Sequence, residues 1–503
     1  MSSGPFQNVQ QDFIALSTPP TAASQRNDIE NRSEKTEHAD QDIVDWDGPD
    51  DTEKPINWPP AKKWTIVGVL SAITFVSPLA SSMFAPGVSR VMSEFHSDNS
   101  LLAGFVVSVY VLGYAAGPLI VAPMSELYGR NIIYNITNVL FLIFTIACGV
   151  SSNLGMLIGF RLLAGAVGST PLTNGGGTLS DLFVQEERGR AIAIWSAGPM
   201  VGPVIGPIAG GFLAQAVGWR WVFWLLTMCA AIPVLLFPFL VHETYASTIL
   251  ERKTRRIRKQ TGNPHLRSKL DTGLTAREAF SQAIARPAKI FFQPIVFFLS
   301  AYSSVIYAYL YLMFTTIPSV FESNYGFTTG TVGLAYIGIG VGMMLALLVF
   351  GSTSDRILKA MARRHRKMEP EFRLPFMAPG ALLIPCGLFL YGWSAEYHVH
   401  WIVPIIGTAL VGTGILVIFI SIQTYLVDAF NRLASSALAA NAVLRSLVGA
   451  LLPLAGPSMY KALGLGWGNS LLGFIAIAFL PLPFLFYMYG ERIRKDPRFQ
   501  PRL

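Results

Sequence analysis

Stretches of about twenty apolar residues recur twelve times along this 503-residue chain, near 64–84, 101–122, 131–150, 154–175, 191–214, 220–241, 293–316, 329–350, 374–394, 401–425, 434–457 and 467–489. As helix, each is long enough to cross roughly 30 Å of hydrocarbon. The chain is 52% hydrophobic and only 14% charged, with a mean hydropathy of +0.45, too apolar for a soluble protein of this length. An all-α membrane protein of about twelve transmembrane helices is expected.

The first apolar run begins at Trp64, behind a tail with Asp or Glu at eleven positions from Asp28 to Glu53. No cleavable signal peptide is expected, and the tail reads as disordered. Cys148, Cys229 and Cys386 all lie inside apolar runs, odd in number and far apart, so they read as packing residues rather than a disulfide framework. Of the 38 Lys and Arg residues, 22 fall in even-numbered loops and 3 in odd-numbered ones. Basic residues mark the cytoplasmic side, so both termini and every even loop are expected there. That placement explains the sequence pI of about 9.3 without nucleic acid.

The longest loop, 243–292, divides the spans six and six and carries the basic run RKTRRIRK from Arg252 to Lys259, which reads as a solvated helix near anionic lipid. Local echoes relate the halves: APMSELYGRN (122–131) and GSTSDRILK (351–359), then TLSDLFVQEERGRA (178–191) and TYLVDAFNRLA (424–434). These suggest an internal duplication. The expected organisation is a disordered cytoplasmic tail (1–60), a six-helix bundle (61–242), a central cytoplasmic loop (243–292), a second six-helix bundle (293–490) and a cytoplasmic tail (491–503).

One stretch is unusual for a membrane helix. GPMVGPVIGPIAGG (198–211) sets Gly198, Gly202, Gly206 and Gly210 with Gly211 at helical spacing, and Pro199, Pro203 and Pro207 beside them. A four-residue step winds only about 40° around a helix, so the glycines form a stripe against which another helix can pack closely. Each proline removes a backbone donor. A bent, tightly packed, deformable helix is expected.

These motifs together resemble the major facilitator superfamily, and within it the fungal twelve-span drug:proton antiporters. The resemblance runs from Val44 to the C-terminus and rests on VDWDGPDDTEKPINWP (44–59), PMSELYGR (123–130), LIGFRLLAGAVGS (157–169) and the glycine-proline stretch. The first loop copy departs from the family pattern at Ala122, Glu126 and Leu127, where the second keeps Gly351, Asp355 and Arg356. The resemblance implies two pseudo-symmetric bundles, with the fifth span where they meet, acting as seal or hinge for alternating access. It also implies that Glu126, Gly129, Arg130, Asp181, Arg188, Arg190, Asp355, Arg356 and Asp428 latch helix ends, and that Arg161 takes part in proton coupling.

Mid-span charge is limited to Arg161 and Arg445, with no Asp or Glu at mid-span. Intramembrane charge is costly and needs a function or a firm partner. Candidate substrate contacts are Asn174, Tyr307, Tyr311, Phe314, Gln423, Asn441 and Arg445, the last two sharing a helix face at i, i+4. So few polar groups suit a bulky, largely apolar molecule. No nucleophile, metal-ligand or phosphate-binding motif points to an enzyme, a metal or a cofactor. The expected function is proton-coupled efflux of hydrophobic drugs or fungal secondary metabolites by a monomer in the plasma membrane. Against it stand a polyamine or other cation exporter, a nutrient importer and a non-transporting sensor on the same scaffold.

Overall fold

Glycine sets the reversal that is hardest to find in the hydropathy profile. In this computed structural model, which describes residues 42–496 apart from 272, 274, 366–368 and 431–433, the last long apolar stretch runs from Ser436 to Lys495. It is interrupted at Gly464, whose φ of 73° lies in the left-handed region that glycine enters without a Cβ penalty. The chain folds back there. A Cβ on Gly468 would meet the Tyr460 ring at 2.7 Å, although eight residues of straight helix would separate the two by about 12 Å. The Glu396 carboxylate accepts the N–H groups of Leu465 at 2.6 Å and Gly466 at 3.2 Å, capping the returning helix. Eleven stretches among the described residues are long and apolar enough to span a membrane. With the last one holding two passes, the twelve expected spans are all present.

The spans are Pro60–Ser82, Ser100–Tyr128, Arg130–Gly149, Leu154–Gly168 continued by Thr170–Leu182, Gln185–Val217 and Arg220–Leu240 in the first half. In the second they are Pro294–Tyr325, Thr329–Ala335 continued by Ile337–His365, Met377–Glu396, Ile402–Phe430, Ala434–Leu451 with its continuation to Gly464, and the returning helix. Packing repeats between the halves. The first span lies on the fifth as the seventh lies on the eleventh, the second on the fourth as the eighth on the tenth, and the third on the sixth as the ninth on the twelfth. The duplication read from local echoes is therefore a duplication of helix packing. The halves meet where the second span packs on the eleventh and the fifth on the eighth. Apolar side chains also cover the outside, as with Ile232, Leu235 and Phe239 on the sixth span, all more than 60% exposed, which suits a lipid-facing surface.

The fifth span is helical from Gln185 to Val217 through all three prolines. Its glycine stripe packs closely on another helix. Gly198, Gly202, Gly206 and Gly210 press on Phe75, Leu79 and Ser82 of the first span and on Met83 just after it, within one half. The seam between halves is made by the adjacent face, where Pro207 and Val204 meet Gly333 and Gly340 of the eighth span, and by Gly211 against the backbone of Thr329. Two faces of one helix are thus closely packed at once.

The expectation of disorder through residue 60 is corrected from residue 42 onward. Residues 42–54 form a separate compact unit with 246–273. Ile43–Val44 pairs in parallel with Arg267–Ser268, and the basic run lies on the helix Ala246–Thr261. Lys253, with only 3% of its side chain exposed, is gripped by Asp51 at 3.0 Å and Asp47 at 2.8 Å. Arg256 pairs with Glu53, and Lys269 with Asp45. Part of the basic run therefore folds onto the acidic tail instead of facing solvent throughout.

The Asp51 carboxyl is lowered to about 2, chiefly by the Asp47 N–H donated to it, with burial opposing and the Glu53 N–H and Lys253 ammonium assisting. A depressed carboxylate contributes stability that is complete above its ordinary value and lost as pH falls through the depressed one. Hydrogen exchange should find the Arg267 and Lys269 amides, donors to Asp42 and Val44, protected at pH 5 and progressively unprotected between about pH 4 and pH 2. Asp51→Asn should weaken that protection at pH 5 by about 1–3 kcal/mol. Unchanged protection in the variant would mean that Asp51 does not hold the unit together.

Candidate transport route and gate

At one end of the first half, the turn between the second and third spans is made by Gly129 at φ 95°. This turn delivers Arg130 as the first residue of the third span. Its Nε donates to Asp181 Oδ2 at 2.7 Å, with 13% and 18% of the two side chains exposed. The guanidinium also lies 5.2 Å from the Tyr245 ring centroid and rests on Gly177, where a Cβ would come within 2.5 Å of it. Glu243, 7% exposed, accepts the N–H groups of Arg130 at 3.0 Å and Asn131 at 3.2 Å, as well as those of Thr244 and Tyr245. A carboxylate at this position satisfies orphan donors and complements the positive end of the third helix. The ends of the third, fourth and sixth spans are thereby tied together.

The second half repeats the arrangement with different residues. Arg373, just ahead of the ninth span, pairs with Asp428 at the end of the tenth at 3.1 Å. Glu371, 2% exposed, takes Nε and Nη2 of Arg494 after the twelfth at 3.0 and 3.3 Å. Arg130–Asp181 and Arg373–Asp428 thus occupy matching places in the two bundles.

Among the expected latch residues, Asp181 pairs with Arg130, inside the first half. The side chains of Arg188, Arg190, Asp355 and Arg356 lie outside the described residues. Glu126 is exposed at the end of the second span. Glu243, Glu371 and Arg373 were missed as site residues. Their signal was a charge bordering an apolar run, next to a helix start that needs a cap.

At the opposite end, Glu94 collects the odd loops of the first half. It pairs with Arg220 at 2.5 Å and accepts Trp219 Nε1 at 2.7 Å, while Arg220 also reaches the Ser151 carbonyl at 3.1 Å. Here the halves are joined. Ser89 donates to Glu322 at 3.2 Å, and Gln215 Oε1 accepts from Thr328 Oγ1 at 3.0 Å and Gly330 N at 2.6 Å.

Between these ends, Ser77 bonds the hydroxyls of Tyr110 and Tyr114 and donates to the Gly168 carbonyl. Tyr311 donates to Ser81 at 3.0 Å, a polar link between the seventh and first spans. Tyr307 and Tyr311 lie 5.0 Å apart by ring centroids, and Phe314 continues the wall toward Tyr336. Tyr311 and Phe314 are buried, whereas Tyr307 is half-buried and lies under Arg445. Asn441 is buried one turn before Arg445, and Gln423 is half-buried on the tenth span. Asn174 accepts from Ser125 of the second span at 3.2 Å. Arg161 is fully enclosed in the first half, donating to the carbonyls of Val106, Val107 and Ser81. That is the geometry of a structural anchor. All three cysteines are free.

Two six-helix bundles repeating one packing pattern, joined along two helix pairs and tied at matching helix ends, define a polytopic membrane transporter. The Major Facilitator Superfamily pattern matches residues 70–453, and the chain belongs to that family. It is 54% identical over 474 residues to the MFS-type transporter penM of Penicillium rubens, covering 94% of this chain and 93% of that one. It is also 54% identical over 472 residues to the efflux pump radE of Floropilus chiversii, covering 93% and 88%. Among solved structures, a D-xylose-proton symporter superposes with a TM-score of 0.65 at 16% identity, covering 83% of this chain and 97% of that one. The inward-open xylose transporter XylE from E. coli superposes at 0.62 and 16% identity, covering 84% and 96%. At that identity the likeness concerns the fold.

Proposed function

We propose that this transporter exports hydrophobic small molecules, drugs or fungal secondary metabolites, across the plasma membrane in exchange for protons. It works as a monomer, by alternating access, with both termini in the cytoplasm. The observation that carries the reading is the lining at mid-depth: an aromatic wall in which the half-open Tyr307 is backed by the buried Tyr311 and Phe314, a few amide and hydroxyl groups, and no mid-span Asp or Glu. Such a lining suits apolar molecules and leaves a polyamine without the carboxylate partners that a cation needs in low dielectric. Kinship with a protein named an efflux pump supports the outward direction. The contacts of Ser89 with Glu322 and of Gln215 with Thr328 close the end through which export would release its cargo. They must part in each cycle.

The test is accumulation of chemically diverse hydrophobic compounds in cells with and without the protein. Several-fold lower accumulation of at least one compound, abolished by a protonophore, is expected. Equal accumulation throughout, together with purified protein that moves nothing in liposomes, would leave the scaffold a sensor.

Orientation has its own test. In a cysteine-free background, His96→Cys should react with an impermeant thiol reagent on intact cells, and His265→Cys should react only after permeabilisation. Both positions are exposed. The reverse pattern would invert the topology.

A further inference from the structure

The two intramembrane arginines are in opposite states. Arg161, 1% exposed, donates Nε to the Val106 carbonyl at 2.7 Å and Nη2 to the carbonyls of Val107 at 3.3 Å and Ser81 at 3.4 Å, and it lies over the Phe84 ring at 4.7 Å. Its donors are occupied by the fold. Arg445 is held by rings alone, its guanidinium carbon 4.6 Å from the Tyr307 centroid and 4.7 Å from that of Phe419. Its Nε is buried without a protein hydrogen-bond partner, and no ion pair reaches it among the described residues. One turn earlier on the same face, Asn441 is 1% exposed and its Oδ1 also has no partner.

A buried donor and a buried acceptor left without partners on one helix face are costly, and a charged donor more so. The surroundings hold them there. Gly449, one turn beyond Arg445, brings the Tyr307 ring against the helix, since a Cβ at that position would meet the ring at 2.7 Å. Tyr307 and Phe419 cover faces of the guanidinium, and a planar guanidinium forks its N–H groups toward planar anions. The wall continues from Tyr307 to Tyr311, whose hydroxyl bonds Ser81 of the other half. The subsite therefore adjoins the junction that rearranges as the halves rock.

Building on the efflux reading, we infer that Arg445 and Asn441 form an anion subsite and that the exported molecules are organic acids in their ionised form. Arg445 takes a carboxylate or an acidic enol oxygen of an otherwise apolar, flat molecule. Asn441 accepts from a neighbouring hydroxyl or N–H of the same molecule, and Tyr307 and Phe419 pack against its rings.

The experiment is equilibrium binding of a matched probe pair, 1-pyrenebutyrate and its methyl ester, to the purified full chain in lipid nanodiscs, with empty nanodiscs subtracted. The wild type should bind the acid at least tenfold more tightly than the ester. Arg445→Met should weaken acid binding tenfold or more and leave ester binding unchanged. Arg445→Lys, which keeps the charge without the fork, should retain part of the preference and serves if the methionine variant does not fold. Equal affinity of the wild type for acid and ester, no binding of the acid, or equal weakening of both by Arg445→Met would overturn the subsite. Binding is read without transport, so the two readings fail separately. Efflux with no preference for the acid removes the subsite alone, and acid binding without any efflux removes the export reading alone.

Discussion

Adding one methyl group at Gly210 is expected to cost this protein both stability and transport, whereas the same change at Gly198 should be mild. A Cβ on Gly210 would sit 1.8 Å from the Met83 carbonyl oxygen, a backbone atom that cannot turn aside. At Gly198 the nearest atom is Phe75 N at 3.0 Å, and at Gly206 it is the Ser82 hydroxyl at 2.5 Å, which can rotate. Overpacking of a close contact costs about 1–3 kcal/mol, occasionally more. Gly210→Ala should therefore lower the thermal midpoint of the purified protein more than Gly206→Ala, and Gly198→Ala least. Gly333→Ala separates seam from bundle, because its methyl would meet the Pro207 carbonyl oxygen at 2.5 Å across the two halves. It should reduce transport tenfold or more with a smaller loss of thermal stability than Gly210→Ala. Full transport by Gly333→Ala would show that close approach of the fifth and eighth spans is not needed in the cycle.

Asp181→Asn should leave substrate binding measurable but make efflux insensitive to an imposed pH gradient. A proton-driven exchanger needs a group whose proton affinity differs between its two states, and the acids here lie at helix ends. Asp181 is paired with Arg130 at 2.7 Å and mostly shielded from solvent. A proton on Asp181 would remove the charge that holds Arg130. Asp428→Asn, at the matching place in the second half, should have a smaller effect because Asp428 is 40% exposed and exposed pairs contribute only about 0–1 kcal/mol. The measurement is efflux from proteoliposomes with and without a pH step. Normal pH-driven efflux in Asp181→Asn, with loss in Arg161→Ala, would shift the coupling to the buried arginine despite its occupied donors.

Membership of the lining was only partly legible. Tyr307, Tyr311 and Phe314 stand at i, i+4, i+7, yet spacing does not tell that Tyr311 and Phe314 are buried in packing while Tyr307 stays half-open beneath Arg445. The pairing of Asp181 was not legible for a related reason. Asp181 lies fifty-one residues from Arg130 along the chain, and the two pair because the third and fourth spans run side by side and bring their ends together.

The sequence by itself determined the twelve spans, their division into halves, the glycine-proline helix and the scarcity of mid-span charge. Each is local: hydropathy adds up residue by residue, and the cost of a charge in hydrocarbon does not depend on which helix lies next to it. The tertiary structure alone decided what depends on neighbours. It turned the glycine stripe toward the first span, made Glu243 and Glu371 the knots at the helix ends, and folded the acidic tail around Lys253. It also enclosed Arg161 in carbonyls while leaving Arg445 with aromatic faces and an empty Nε. Identical residue types inside membrane spans received opposite surroundings, because hydrogen-bond satisfaction is settled by backbone atoms fifty or more residues away, and no periodicity along the chain encodes them.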